Sequence, residues 1–165
     1  MNEPVGYLPT YEGCIVCGQR DVNPSSLNLR FRATETGVEA PFTAGRQQEG
    51  YRQIVHGGIL CALLDETIGW AVAVHRRKYF VTGELSVRFH RPLLVGTPVV
   101  VKGWAVEHKF RYSVAEGEIV DSDGTVYARA SGKFFTMPDN EAIEVRNYLT
   151  FQPDDLDILE RHREE

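Results

Sequence analysis

The side chains best suited to chemistry sit where this chain is least polar. From His56 it reads His56-Gly57-Gly58-Ile59-Leu60-Cys61-Ala62-Leu63-Leu64-Asp65-Glu66-Thr67-Ile68-Gly69-Trp70-Ala71-Val72-Ala73-Val74, and Asp65-Glu66 carries the only charge between Gly57 and Val74. An ionised carboxylate among apolar neighbours is costly unless it is paired, hydrogen-bonded or in contact with water. Adjacent residues on a helix point about 100° apart, so the two acids cannot serve one purpose. One can reach solvent or a basic partner while the other faces whatever the helix is buried against. A carboxyl group held that way is a candidate general base or nucleophile.

The cysteines are the second place to look for chemistry. Cys14-Ile15-Val16-Cys17-Gly18 has the spacing of half a tetrahedral zinc site. No second pair follows it, and His56, His75, His90, His108 and His162 show no paired spacing. The turn therefore reads as a reduced structural knuckle with no metal expected; a zinc site would need ligands shared between subunits. Cys61, inside the apolar run, reads as a small buried hydrophobe.

These residues need a frame to hold them. A chain of 165 residues, 42% apolar and 25% charged, suits one domain with a full-sized core. A net charge of −5 argues against a nucleic-acid binder. Met1 to Thr10 lacks a basic segment followed by an apolar one, and the run from Ile59 is too short and too acidic at its centre to span a bilayer. The expected location is the cytoplasm. Residues 1–26 read as an irregular segment, 27–136 as the domain and 137–165 as an acidic, helix-prone, solvated tail, with Asp154 or Asp155 as a helix cap.

Within the domain, strands are expected over Leu27 to Thr34 and Gly37 to Thr43, then a polar loop over 44–55. The apolar helix follows, ending near His75-Arg76-Arg77-Lys78. Next comes a strand with Val81, Gly83, Leu85, Val87 and Phe89 on one face and Thr82, Glu84, Ser86, Arg88 and His90 on the other. Strands over Val99 to Glu107, Arg111 to Val120 and Thr125 to Thr136 complete the order, the last two joined at Asp123-Gly124. Consecutive hairpins argue for an antiparallel sheet, and a helix apolar nearly all round must be buried on more than one side. A curved sheet wrapping one long helix, an α+β arrangement, satisfies both.

Two glycines after His56, with an acid nine residues beyond that histidine, resemble the signature of the hotdog-fold acyl-CoA thioesterases, phenylacetyl-CoA thioesterase (PaaI-like) type. Cys14-x-x-Cys17-Gly18 with Asn23-Pro24 and Leu27-x-Leu29-x-Phe31 resembles their N-terminal pattern, as does Val81-Thr82-Gly83-Glu84-Leu85 followed by Phe89 and Pro92. The resemblance covers about residues 12–136. It implies hydrolysis of a CoA thioester to CoA and a carboxylic acid, with Asp65 as base or nucleophile. Gly57 and Gly58 would supply oxyanion donors from the helix N-terminus, His56 would orient the carbonyl, and Thr82 would place the water. It implies a homodimer, and a dimer of dimers, with each site between subunits. No cofactor is expected beyond the coenzyme A of the substrate.

Tyr51, Trp70, Arg88 and Lys133 are candidates for substrate binding. Glu66 is one too, although it reads first as a structural group bonding a loop or a partner. Further cations for CoA phosphates are His90, Arg91, Lys109, Arg111 and Arg129. Two features do not match. Thr82 falls on the polar face of its strand, and Gly50 stands where the family often has an asparagine, six residues before the histidine. Two other functions stay open: an acyl-CoA sensor without turnover, and a hotdog dehydratase using His56 as base on hydroxyacyl thioesters.

Overall fold

The structure is a computed structural model describing residues 5–159; residues 1–4 and 160–165, including His162, lie outside the described residues. Its centre is α1 (Gly57–Arg76). The helix begins because His56 stays extended and its Nδ1 accepts the Gly58 N–H at 2.9 Å, satisfying one of the unpaired donors of the first turn. It ends where Arg77 turns left-handed (φ 52°) and returns its N–H to the Ala73 carbonyl. Leu63, Leu64, Ile68 and Val72 have no exposed surface. Burial at about 1.5–3 kcal/mol for each such side chain far outweighs the roughly 1 kcal/mol that Gly69 costs mid-helix.

Around α1 curves a seven-stranded antiparallel sheet. Its strands are β1 (Gly6–Tyr7), β2 (Arg32–Thr34), β3 (Gly37–Thr43), β6 (Phe80–Phe89), β7 (Pro98–His108), β8 (Tyr112–Val120) and β9 (Val126–Thr136). They run in the order β1-β2-β3-β7-β8-β9-β6. A separate small hairpin, β4 (Glu49–Tyr51) with β5 (Ile54–Val55), precedes the helix. Glycines let the helix sit close: a Cβ on Gly117 would lie 2.5 Å from the Ile68 methyl and 2.5 Å from the Lys102 carbonyl oxygen. The hotdog architecture expected from the hairpins and the all-round apolar helix is the observed one.

Three local expectations differ. The strand expected from Leu27 is confined to Arg32–Thr34. Leu27, Leu29 and Phe31 are buried in alternation, but Asn28 has φ 57°, and the Leu27 and Leu29 N–H groups bond Ile15 and Val16 carbonyls of the cysteine turn instead of a strand. The polar loop over 44–55 contains a 3-10 turn at Arg46–Gln48 and the β4–β5 hairpin. The tail is not a solvated appendage. Its helix, α2 (Asp139–Tyr148), lies before Pro153, not after it, and Ala142, Val145 and Leu149, at helical spacing, face the core. Beyond α2, Ile158 is buried and Arg30 pairs with Asp155.

Candidate active site

Asp65 lies two turns into α1, half-buried, beside β6 at the edge of the sheet. What β6 offers it depends on one residue. Thr82 pairs with Phe134 of β9, Glu84 with Lys133 and Leu85 with Gly132, so Gly83 is the extra residue of a bulge. Strict alternation would leave Thr82 outside with Glu84 and Ser86. The bulge changes the phase, and Thr82, opposite the buried Phe134, shares the helix-facing side with Leu85 and Val87. Its hydroxyl donates to Asp65 Oδ1 at 2.9 Å. The expected single face of Val81, Gly83, Leu85, Val87 and Phe89 is thereby corrected: Val81 turns to the other side, opposite Phe135, and is 50% exposed. A Cβ at Gly83 would lie 2.2 Å from the Phe135 ring, so a side chain there would require that part-exposed ring to move. A glycine inside a strand pattern was the available signal.

Asp65 and Thr82 sit at one side of a cavity of about 240 Å3. Glu66, Gly69, Trp70 and Ala73 of α1 line it, with Tyr79, Phe80 and Phe134 from the sheet side and Val145 and Leu149 from the C-terminal segment. Trp70 meets Tyr79 edge-on at 6.1 Å. A carboxylate at the wall of an aromatic cavity is poorly solvated, and burial raises the Asp65 pKa from its ordinary value, with the Thr82 hydrogen bond opposing the shift. A base so placed is stronger than one in water.

Thr82→Val, which keeps the shape and removes the hydroxyl, is expected to reduce kcat about 10- to 100-fold. Loss of a bond that stabilises the ionised form should also move the acid limb of the rate profile to higher pH, since Asp65 would then protonate sooner as pH falls. A rate-against-pH series on both proteins checks this; superimposable profiles would contradict it.

The helix start lies elsewhere. Eight residues at 1.5 Å each put Gly57 about 12 Å along the axis from Asp65. The Gly58 N–H is taken by His56, whose Nδ1 is therefore unprotonated, whereas the Gly57 N–H, first in the helix, has no intrahelical acceptor. One chain thus separates the donor from the base by more than a single carbonyl can bridge. Gly50, the departure from the family pattern, packs on the histidine: a Cβ there would lie 2.9 Å from the His56 Cα. No side chain fits at 50 unless His56 moves.

The substrate-binding candidates divide. Glu66 and Trp70 line the cavity. Tyr51 is 81% exposed on the β4–β5 hairpin, Arg88 lies opposite Arg129 on β9, and Lys133 pairs with Glu84 at 2.7 Å. None of these three touches the cavity within one chain.

Glu66 also bonds a loop, accepting from Cys14 Sγ at 3.2 Å. Burial, then the negative charge of the ionised Cys14 sulfur, pushes its carboxyl up to about 8. Hydrogen bonding from Cys17, aided by the Cys17 and Val16 N–H groups, holds Cys14 down at about 5 against its burial. The same bond and burial drive Cys17 upward. This three-residue cluster joins the N-terminal segment to the helix turn that carries Asp65. Sequence spacing around Cys14 could not reveal a partner 52 residues away.

The profile of the Thioesterase superfamily matches residues 52–128. A Saccharolobus solfataricus protein named "Putative esterase" is 31% identical over 101 residues, which are 61% of this chain and 70% of that one. A crystal structure described as a thioesterase superfamily protein superposes with TM-score 0.69 at 27% identity, covering 75% of this chain and 60% of its own, so the match leaves two fifths of that chain uncovered. The PaaI protein of the E. coli phenylacetic acid degradation operon gives TM-score 0.63 at 21% identity, covering 68% of this chain and 81% of that one. A Streptococcus mutans protein solved with acetyl CoA gives 0.61 at 20%, covering 67% and 89%. The last two, so low in identity, speak for the fold. Sheet, central helix and family match together place this chain in the thioesterase superfamily, as a hotdog-fold member.

Proposed function

We propose that this protein hydrolyses acyl-CoA thioesters, with Asp65 as general base. The carrying observation is the Asp65–Thr82 pair at the wall of an aromatic cavity. Asp65 Oδ1 is committed to Thr82, leaving Oδ2 to take a proton from water. The water oxygen bonds to the acyl carbon, the carbonyl becomes an oxyanion, and its collapse breaks the C–S bond and releases CoA thiolate, which takes up the proton. Coenzyme A as the carrier is supported by the acetyl-CoA-bound neighbour.

The 12 Å gap between Gly57 and Asp65 makes the working unit two copies, the oxyanion donor of one chain facing the base of the other. Strand β6 ends the sheet order, bonded to β9 alone, and its outer backbone edge is suited to that contact. The cavity's volume of about 240 Å3 favours short or arylacetyl groups over long acyl chains. Three free thiols and a CoA substrate suit the cytoplasm.

The test is release of free thiol from acetyl-, phenylacetyl- and palmitoyl-CoA. Turnover of the first two above palmitoyl-CoA is the expected result. Binding without thiol release would mean a sensor and end the proposal. A dehydratase would need His56 as base, yet with Nδ1 accepting the Gly58 N–H the neutral ring carries its proton on Nε2 and has no free acceptor.

A further inference from the structure

The Cys-x-x-Cys turn gains from the fold the ligand that its sequence lacks. Cys14 and Cys17 lie on the N-terminal segment and Glu66 on α1. One donor atom from each, the two Sγ and a Glu66 carboxylate oxygen, all lie within 4.8 Å of one another. Bonds of about 2.3 Å to sulfur and 2.0–2.2 Å to oxygen define a tetrahedron with edges of roughly 3.5–3.8 Å. The cluster therefore needs shifts of no more than about 1 Å to hold a cation. We propose that Cys14, Cys17 and Glu66 bind one zinc ion per chain.

Three further features of the site fit. The Val16 and Cys17 N–H groups point at Cys14 Sγ, at 3.3 and 3.4 Å, the kind of outer hydrogen bonding that orients a metal-binding thiolate. Gly18 permits the tight turn, since a Cβ would lie 2.2 Å from the Cys14 carbonyl oxygen. Three acidic groups in a half-buried cluster repel one another once ionised, and a divalent cation removes that repulsion. Two soft thiolates with one carboxylate favour zinc over magnesium or calcium.

Three protein ligands leave one tetrahedral position for water. The ion's effect on the fold would be to fasten the Cys14–Cys17 turn to the helix segment bearing Asp65. Binding there contributes directly to folding. The site shares Glu66 with the wall of the Asp65 cavity, but its test needs no turnover.

Metal content of the purified full chain, measured by plasma mass spectrometry, is expected to be about one zinc per chain. Exchange into cobalt(II) should give the thiolate-to-metal charge-transfer band and the visible bands of a tetrahedral site. Cys17→Ser and Glu66→Gln should each lower bound metal at least about tenfold, while Cys61→Ser leaves it unchanged. A wild-type measurement guards against variants that fail to fold: chelator should expose two thiols per chain to a thiol reagent and lower Tm, and zinc should reverse both. Wild-type protein with all three thiols reactive, no bound zinc and no cobalt spectrum would overturn the proposal. So would a Cys14–Cys17 disulfide in the freshly purified chain, or full zinc binding by Glu66→Gln.

Discussion

Asp65→Asn is expected to lower kcat for thioester hydrolysis by about 10^2- to 10^4-fold, the range associated with loss of a positioned general base. The substitution is nearly isosteric, and the amide oxygen can still accept from Thr82 as Asp65 Oδ1 does. What disappears is the ability to take a proton from water. Because burial disfavours the ionised carboxyl here, removing the charge carries no stability cost, and Tm should hold or rise slightly. Thiol-release kinetics with thermal unfolding on the same preparation check both halves. An inactive variant with an unchanged melting curve supports the assignment; turnover near wild type would end it.

That the acid at 65 could be singled out from sequence follows from its neighbours. Leu63, Leu64 and Ile68 are fully buried, and a charge between them is a local contradiction that sequence displays directly. The sheet was legible for a similar reason: alternation over Val99 to Glu107 and Arg111 to Val120 matches β7 and β8 within a residue or two. Features that depend on a single backbone irregularity, or on contacts distant in sequence, were not. Thr82 read as outward because alternation has no term for the Gly83 bulge, and one residue is enough to reverse a face. The cysteine turn lacked a third ligand because Glu66 reaches it only through the fold. The C-terminal segment read as solvated because its apolar residues are interspersed with acids and give a weak stripe, although Val145 and Leu149 line the cavity.

Gly57→Pro should be nearly as damaging as Asp65→Asn, by removing a different part of the same reaction, and the two variants together should reveal how the site is built. Proline is well accommodated at the first position of a helix, and His56 already has the extended conformation (φ −62°, ψ 134°) preferred before proline. A Cβ at 57 meets the Phe89 ring at 3.3 Å, and that ring is half exposed and able to yield. The change therefore deletes one N–H with little disturbance of the fold, and loss of one oxyanion donor costs about 10^2- to 10^3-fold in kcat. The 12 Å between Gly57 and Asp65 then decides what a mixture does. If the donor of one chain serves the base of its partner, a hybrid dimer of Gly57→Pro and Asp65→Asn contains one site with both defects and one with neither. Random reassortment of equal amounts makes half the dimers hybrid, so about a quarter of wild-type activity should return. Two inactive proteins that regain activity on co-refolding can do so only through a site shared between chains. Failure to regain it, with hybrid dimers demonstrated by native mass spectrometry, would mean that no site pairs the Gly57 donor of one chain with Asp65 of another.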